Sequence, residues 1–363
     1  MTVQIYSIGD VKKDLVNVGR MFESSDTLGG INSRHINSLE AKFLSRTNRN
    51  SVFVSSCTNG IYLSLKKLNV QNRYVIMPTI TFFGIASAIV KAGGIPLYSR
   101  VDQYGLMDVS SVHELMEKYD VAAVIPSHIN NRYVDLSQLS NVTIIEDAAP
   151  AYGMKRIDGS CVVADTTNTS VISFSYGKPL TAGEGGMIFT NDDTNWYRGQ
   201  RYCGLENVDG QYGYGTFNVM EPELKLSNTA ISAALIMNKL RSLESNIARA
   251  RDIAKYYDSQ FGGLQENDLY ENGNHQTYVI MSDYKKIIMD SLLEKDVRSY
   301  ASHRPVYRND AFKDYKGADR YKSTSDIYFS KVLHIPCRYD LTDTEVNLIA
   351  DTVKKALNDE RIQ

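Results

Sequence analysis

A single lysine, Lys178, stands between an apolar run and a glycine-rich turn in the stretch SFSYGKPLTAGEGG at 173–186. A solvated surface loop is the default interpretation of any lone lysine, and it requires no such setting. A phosphate-binding lysine would require the pattern GxxxxGK[ST], which is absent here. A lysine that forms a Schiff base must be desolvated enough to be neutral part of the time. Lys178 taken alone does not decide between the surface and the Schiff-base interpretations.

A carboxylate pair, Glu146 and Asp147, ends the apolar run of VTIIEDAAPAYG. Ligands of open α/β folds bind at the carboxyl ends of parallel strands, although an aspartate that caps a helix is common at such junctions. The functional interpretation is a buried carboxylate that faces a cationic ring nitrogen, with the small Ala149 letting a flat ring lie close. A pyridoxal phosphate (PLP) site needs a Schiff-base lysine and an acid of this kind.

Two further segments have residues suited to such a cofactor. SSCTNG at 55–60 lies between a strand pattern and a helix pattern, so the Thr58 hydroxyl and backbone N–H groups would stand at a helix N-terminus, which binds anions. A plain Ser/Thr helix cap explains this motif at least as well, and Ser173 could donate a further hydroxyl. Phe82 or Phe83 could stack on the free face of a flat ring, but core packing is the better explanation of either one alone.

The elements that must position these residues alternate along the chain from about residue 51. Short apolar runs such as RYVIMP, VAAVIPS and SVISFS predict strands buried on both faces, with helix patterns between them. We therefore predict an α/β fold: a large domain with a mostly parallel central sheet flanked by helices, over residues 1–243. A long helical pattern covers 227–261, and a smaller C-terminal α+β domain is predicted over 244–363.

Composition narrows the class of protein. The 363 residues are 43% hydrophobic and carry a formal net charge of -2 without a basic stripe, so we expect no nucleic-acid partner. The four cysteines lack CxxC spacing and the six histidines lack metal-ligand spacing, which argues against zinc and disulfides and favours a reducing cytoplasm. There is no signal-peptide pattern or membrane-length apolar run, and neither GxSxG nor GxGxxG follows a strand. We expect a cytoplasmic protein without a metal or a membrane partner.

In order and spacing, the motifs together resemble the DegT/DnrJ/StrS family of PLP-dependent sugar aminotransferases, nearly from end to end. SSCTNGIYLSL is similar to the family's S-x-G-T-x-A-L-x-L, and IIEDAAPAYG to E-D-A-A-Q-A-x-G. SFSYGKPLTAGEGG is similar to S-F-x-x-x-K-x-L-T-x-G-E-G-G, which is the most specific match. The resemblance implies the type I fold of aspartate aminotransferase. Family members that dehydrate sugars replace the lysine with histidine, so the lysine here favours amino transfer.

The resemblance also implies roles for individual residues. Lys178 would be the Schiff-base lysine and proton shuttle, and Asp147 the partner of the ring nitrogen. The other cofactor-binding residues would be Cys57, Thr58 and Asn59 of the phosphate turn, Ser173 on the phosphate, Phe82 and Ala149 on the two ring faces, and Lys225. Lys225 and Ser227 fall where the family has an asparagine and an arginine that reach the neighbouring subunit's phosphate, so a homodimer is expected.

The substrate is less well determined, because two family positions differ. Pro150 replaces the family's glutamine and Ser175 its histidine, both on the substrate side of the cofactor. The resemblance implies transfer of an amino group, from glutamate, to a nucleotide-activated keto-sugar. A keto-cyclitol, another cyclic ketone, or a non-catalytic effector-binding role on the same fold are the alternatives. Arg304 is the main candidate for binding a substrate diphosphate. It belongs to a basic cluster formed by Arg298, His303, Arg304 and Arg308. A solvated, basic surface is the commoner explanation of such a cluster.

Overall fold

A seven-stranded sheet forms the centre of the larger part of the molecule. The computed structural model describes residues 2–6, 11–24, 26–30, 33–139, 141–164, 169–206, 218–261 and 272–358. The strands are β1 (Asn50–Val54), β2 (Tyr74–Pro78), β3 (Ile95–Ser99), β4 (Val121–Val124), β5 (Ile145–Asp147), β6 (Thr169–Ser173) and β7 (Gly186–Thr190). Most of their residues are buried, as expected for strands covered on both faces.

The sheet is mostly parallel, as predicted. Hydrogen-bonded neighbours give the orders β1-β7-β6-β5 and β3-β2-β4, and isolated parallel bridges from Val124 to Ile144 and from Ser127 to Asp147 join the two parts. Only β7 runs antiparallel to its neighbours, β1 and β6. The carboxyl ends of β5 and β6, which carry Asp147 and Ser173, therefore lie side by side at one edge.

Helices pack around this sheet. They are α1 (Val11–Gly19), α2 (Arg34–Thr47), α3 (Cys57–Lys67), α4 (Gly84–Lys91), α5 (Val109–Lys118), α6 (Thr194–Gln200), α7 (Ala230–Lys239) and α8 (Leu243–Phe261). The long helical pattern at 227–261 is two helices rather than one. The N–H groups of Arg241 and Ser242 bond to carbonyls three residues back, a tight turn that ends α7 before α8 begins.

The C-terminal part has its own apolar core. It contains β8 (Thr277–Met281) and β9 (Val332–Pro336), which pair antiparallel, with α9 (Lys285–Glu294), α10 (Tyr321–Lys331) and α11 (Asp343–Leu357). α11 begins with a capping box formed by Thr342 and Glu345. The first half of α8 packs on the large core and its second half on the C-terminal core. The boundary at 243/244 stays a prediction.

Among the described residues, no helix combines the length and apolar character that crossing a bilayer requires.

Candidate active site

A cavity of about 320 Å³ opens at the carboxyl edge of the sheet, within the range of small-molecule sites. Residues from β5, β6 and the N-terminus of α3 meet there with the loop after β6. Ten of the residues singled out from the sequence line it: Cys57, Thr58, Phe82, Asp147, Ala149, Pro150, Ser173, Ser175, Lys178 and His303. Sequence positions more than a hundred residues apart thus share one pocket.

Lys178 lies on the loop that connects β6 to β7, and its side chain is half-buried. Its backbone N–H donates to the Ser175 carbonyl at 3.2 Å, which fixes the start of the loop. Burial lowers the pKa of Lys178 below the ordinary lysine value, while the charge of Asp147 and the thiol of Cys57 oppose that shift. An amine with a lowered pKa is neutral more often and can act as a nucleophile or a base.

Asp147 is buried at the end of β5, where its carboxylate accepts the N–H of Ala149 at 3.1 Å. Burial raises the pKa of Asp147; that backbone hydrogen bond, the Ser127 hydroxyl and the Lys178 charge offset the shift only in part. An added positive charge in the cavity would favour the ionised carboxylate. The site is therefore suited to a cationic ring nitrogen.

Glu146, the other half of the carboxylate pair, is not among the residues that line the cavity. His128 Nδ1 accepts the Val134 N–H, so its Nε2–H donates to Glu146 Oε1 at 2.7 Å. Arg156 donates to the same oxygen at 3.0 Å. Burial alone would raise the pKa of Glu146, but His128 and Arg156 hold it below the ordinary value. The role of Glu146 is thus structural.

The N-terminus of α3 lines one part of the cavity, and a helix N-terminus is suited to an anion. Ser56 caps the helix by accepting the Asn59 N–H at 3.1 Å, and Cys57 and Thr58 of the first turn face the cavity. Gly186 of β7 approaches this turn so closely that a Cβ would lie 2.5 Å from the Ser56 carbonyl carbon. Glycine at this position therefore lets the sheet and the helix N-terminus meet.

Two further hydroxyl groups, those of Ser173 and Ser175, lie close to each other. The Ser173 and Ser175 hydroxyls are 3.0 Å apart, and both residues line the cavity. Together with Thr58 and the dipole of α3, they form a donor set suited to a phosphate.

Phe82 and Ala149 provide the apolar surfaces. The Phe82 side chain is 46% exposed, and its ring centroid lies 4.3 Å from that of Phe83 and 6.2 Å from that of His303. An aromatic ring left this exposed at a cavity is available to stack on a ligand. Pro150 also lines the cavity, and its carbonyl accepts a hydrogen bond from Asn274 at 2.6 Å.

Several residues singled out from the sequence are not among those that line the cavity. The Asn59 amide donates to the Ser55 hydroxyl at 2.8 Å, Lys225 is exposed beside Tyr202, and Arg304 is exposed. Ser227, predicted alongside Lys225, is not among the lining residues either.

In the basic cluster only His303 lines the cavity. Its pKa is lowered to about 4, by burial and then by the Lys178 charge, so its ring is neutral at physiological pH. Arg298 is exposed, and Arg308 pairs with Asp326 at 2.7 Å.

Several lining residues were missed by the sequence reasoning. They are Tyr6, Asn130, Asn131, Gln276, Tyr300 and His334. The consecutive asparagines, both with positive φ, follow the apolar run VAAVIPS, so a turn near a strand end was a usable signal. The others come from the N-terminal segment and the C-terminal part, and their sequence context carries no comparable signal.

The sequence profile of the DegT/DnrJ/EryC1/StrS aminotransferase family matches residues 12–354. The chain belongs to this family. Its members use PLP, and the protein is a PLP-dependent aminotransferase, as the resemblance implied.

Individual relatives are distant but cover almost the whole chain. UDP-4-amino-4,6-dideoxy-N-acetyl-beta-L-altrosamine transaminase of Campylobacter jejuni is 22% identical over 84% of this chain and 85% of its own. GDP-perosamine synthase of Vibrio cholerae is 26% identical over 85% and 87%. The PLP-form structure of Spr1654 from Streptococcus pneumoniae superposes with a TM-score of 0.85 at 19% identity, covering 99% of both chains. This likeness confirms the fold.

The residues present at the cavity of this aminotransferase fit PLP. A half-buried amine and a buried carboxylate share the cavity with hydroxyls at a helix N-terminus and an exposed aromatic ring. Each feature matches one part of the cofactor: the aldehyde, the ring nitrogen, the phosphate and the ring face.

Proposed function

We propose that this aminotransferase moves an amino group from glutamate to the keto group of a nucleotide-activated sugar, in the biosynthesis of an amino sugar. The observation that carries the proposal is the meeting of Lys178 and Asp147 in one cavity with hydroxyls at the N-terminus of α3. The two curated relatives are named for a UDP-linked and a GDP-linked sugar, which supports the acceptor class while the nucleotide stays open. A keto-cyclitol is the second candidate acceptor, because Pro150 and Ser175 change the substrate side.

Each residue has a defined part in this proposal. Lys178 would hold the cofactor covalently, Asp147 would face its ring nitrogen, and Thr58 and Ser173 would bind its phosphate. Phe82 and Ala149 would contact the two faces of the ring. When bound, PLP supplies an electron sink for the charge that develops at the substrate carbon.

The proton transfer falls to Lys178. Its lowered pKa lets the amine accept a proton from the substrate carbon and return it elsewhere, as a general base and then a general acid. Asp147 contributes a fixed negative charge, which keeps a ring nitrogen protonated. The neutral His303 ring and the polar side chains around it would orient the acceptor.

A homodimer in the cytoplasm is part of the proposal. Lys225 would reach the cofactor phosphate of the partner subunit. Just before it in the sequence, Val219, Met220 and Leu224 are 53%, 62% and 70% exposed. Exposed apolar side chains that lie close together in the sequence favour an interface between subunits. Lys225→Glu should then weaken cofactor retention, and sedimentation that finds a fully active monomer would contradict the dimer.

The test of the chemistry is a comparison of half-reactions. Lys178→Ala should abolish cycling between the two cofactor forms, whereas Lys118→Ala, at an exposed position on α5, should cycle like the wild type. The absorbance of the cofactor reports each half-reaction separately. A Lys178→Ala protein that cycles at the wild-type rate would contradict the proposal.

The acceptor class needs its own experiment. UDP- and GDP-linked keto-sugars and free keto-cyclitols should be offered to the amine-loaded enzyme, with Arg304→Ala beside an exposed control, Arg241→Ala. We expect a nucleotide-linked acceptor to react and Arg304→Ala to raise its KM, since guanidinium groups bind diphosphates. Reaction with free cyclitols alone, unaffected by Arg304→Ala, would replace the nucleotide sugar with a cyclitol.

A further inference from the structure

The N-terminal segment, residues 2–6, is attached to the C-terminal part of the molecule. Val3 donates its N–H to the Asp296 carbonyl and accepts the Arg298 N–H, both at 2.9 Å. The Val3 side chain is buried in the C-terminal core, and Arg338 donates to the Gln4 carbonyl at 3.0 Å. These contacts fix the direction in which the chain reaches Tyr6.

Tyr6 packs against the loop between β6 and β7, which carries Lys178. A Cβ at Gly177, whose φ is +87°, would lie 2.8 Å from the Tyr6 ring, so a larger residue there would displace the ring. Gly177 immediately precedes Lys178, and its carbonyl accepts a hydrogen bond from Gln276. The Tyr6 ring therefore contacts the loop that carries Lys178 at Gly177, a position that requires glycine.

Tyr6 is part of an aromatic cluster with Tyr176 and Tyr300. Its ring centroid is 6.0 Å from that of Tyr176, with the rings perpendicular, and 6.3 Å from that of Tyr300. All three tyrosines line the same cavity as Lys178.

This tyrosine cluster presents neutral hydroxyl groups and apolar ring faces to the cavity. Burial raises the pKa of Tyr6, so the phenol keeps its proton. A polyhydroxylated ring offers alternating hydroxyls and apolar C–H faces, and tyrosine can contact both. A neutral phenol can donate to one substrate hydroxyl and accept from another.

We propose that Tyr6 is a specificity-determining residue, whose phenol contacts the polyhydroxylated ring of the acceptor beside Lys178. This inference rests on the proposed function, because it assigns one wall of the same site to the acceptor. According to this proposal, residues 2–6 and Tyr300 together complete the binding site of the acceptor.

The experiment measures the two half-reactions separately for Tyr6→Phe and Tyr6→Ala. The control is Tyr284→Phe, a tyrosine with 40% exposure that does not line the cavity. Loss of one neutral hydrogen bond should raise the acceptor KM of Tyr6→Phe about threefold to tenfold. Tyr6→Ala should raise it further. The amino-donor half-reaction and PLP loading should stay within about twofold of the wild type, because charged groups dominate both.

A binding measurement without turnover separates contact from catalysis. Holoenzyme reduced with borohydride cannot turn over, and calorimetric titration with the aminated acceptor should give a Kd that rises in the same order as the KM. An unchanged Kd and KM in Tyr6→Ala would overturn the assignment. Equal losses in both half-reactions with a lowered melting temperature would also overturn it, because they indicate a merely structural role.

The experiment also distinguishes a wrong acceptor class from a wrong role of Tyr6. If the wild type accepts only free keto-cyclitols, the nucleotide-sugar assignment is wrong, and the Tyr6 variants are measured on the cyclitol. A rise in cyclitol KM for Tyr6→Phe would still support the contact with a hydroxylated ring. An unchanged cyclitol KM would overturn it.

Discussion

The Sγ atom of Cys57 lies 3.7 Å from Oδ1 of Asp147, so the first residue of α3 contacts the last residue of β5. The same oxygen accepts the Ala149 N–H at 3.1 Å. Two donors on one carboxylate oxygen fix the orientation of the carboxylate in the cavity. The helix whose first turn is proposed to bind the phosphate therefore also contacts the acid proposed for the ring nitrogen.

Asp147→Asn should remove the charge while keeping the shape of the side chain. Without a fixed negative charge the ring nitrogen loses its proton, and we expect kcat to fall about 100-fold or more, the scale of losing one electrostatic contact in an active site. Steady-state turnover and the pH dependence of the cofactor spectrum measure this. Asp120→Asn, which alters an exposed carboxylate, is the control. Turnover within tenfold of the wild type would mean that Asp147 does not have this role.

The cysteines should differ sharply in reactivity. Cys57 and Cys337 are buried, Cys161 is half-buried and Cys203 is exposed. Burial raises the pKa of the Cys57 thiol, so little reactive thiolate forms there. Titration of the native protein with Ellman's reagent should give one fast thiol per chain, which Cys203→Ser should abolish. A fast thiol that persists in Cys203→Ser would mean that Cys57, Cys161 or Cys337 is more accessible than the structure shows.

The residues that were singled out from the sequence and that line the cavity share a local signal. Asp147 and Ser173 end apolar runs, and Thr58 lies between a strand pattern and a helix pattern, so periodicity alone placed them at the edge of the sheet. Lys178 follows Ser173 by five residues, so it had to lie on the loop after the same strand. The position of a residue near the end of a strand depends on the sequence next to it. For that reason these positions could be predicted from the sequence.

The rest of the site depends on contacts between distant segments. Tyr6 reaches the cavity because Val3 pairs with residues 296–298, a contact that no local pattern indicates. Asn59 was predicted to bind the cofactor because it lies in the right turn. Its amide instead donates to the Ser55 hydroxyl one helical turn earlier. Neighbouring side chains on a helix point in different directions, so a motif does not settle which of them face a ligand.

Arg201→Met should destabilise the fold beneath the phosphate turn. Arg201 and Glu40 are both buried and paired with each other, and Arg201 donates to the Phe53 carbonyl at 2.9 Å. Removing the guanidinium leaves a buried carboxylate with part of its compensation gone, which costs about 3–5 kcal/mol. The measurement is the free energy of unfolding in urea.

An exposed ion pair provides the matched control for this variant. Arg73 pairs with Asp120 at 3.1 Å on the surface, so Arg73→Met should cost at most about 1 kcal/mol. Equal losses for the two variants would show that the buried pair has no special role. The phosphate turn follows β1 directly, so Arg201→Met should also weaken PLP retention.

The stability of the protein should fall as the pH is lowered from 7 to 4, in part because of His334. Its ring lies in β9, where Nδ1 is 2.8 Å from the Thr277 hydroxyl. Burial is the main cause that lowers its pKa to about 3 from 6.5, and positive charge on His303, once that ring is protonated, and on Lys285 adds to the shift. Between these two values the unfolded chain binds a proton that the folded chain does not, so folding stability rises with pH. The contribution is complete above pH 6.5 and decreases as the pH falls towards 3.

His334→Gln isolates this contribution from the carboxylates that also titrate in this range. The variant should show a smaller loss of unfolding free energy between pH 7 and pH 4 than the wild type, measured by urea denaturation at each pH. The difference is at most about 3.5 kcal/mol, because only the part of the pKa shift between 6.5 and 4 lies in this pH range. His113→Gln, at an exposed position on α5, should keep the wild-type slope. Parallel pH profiles for His334→Gln and the wild type would mean that the His334 ring is protonated in the folded protein as readily as in the unfolded chain.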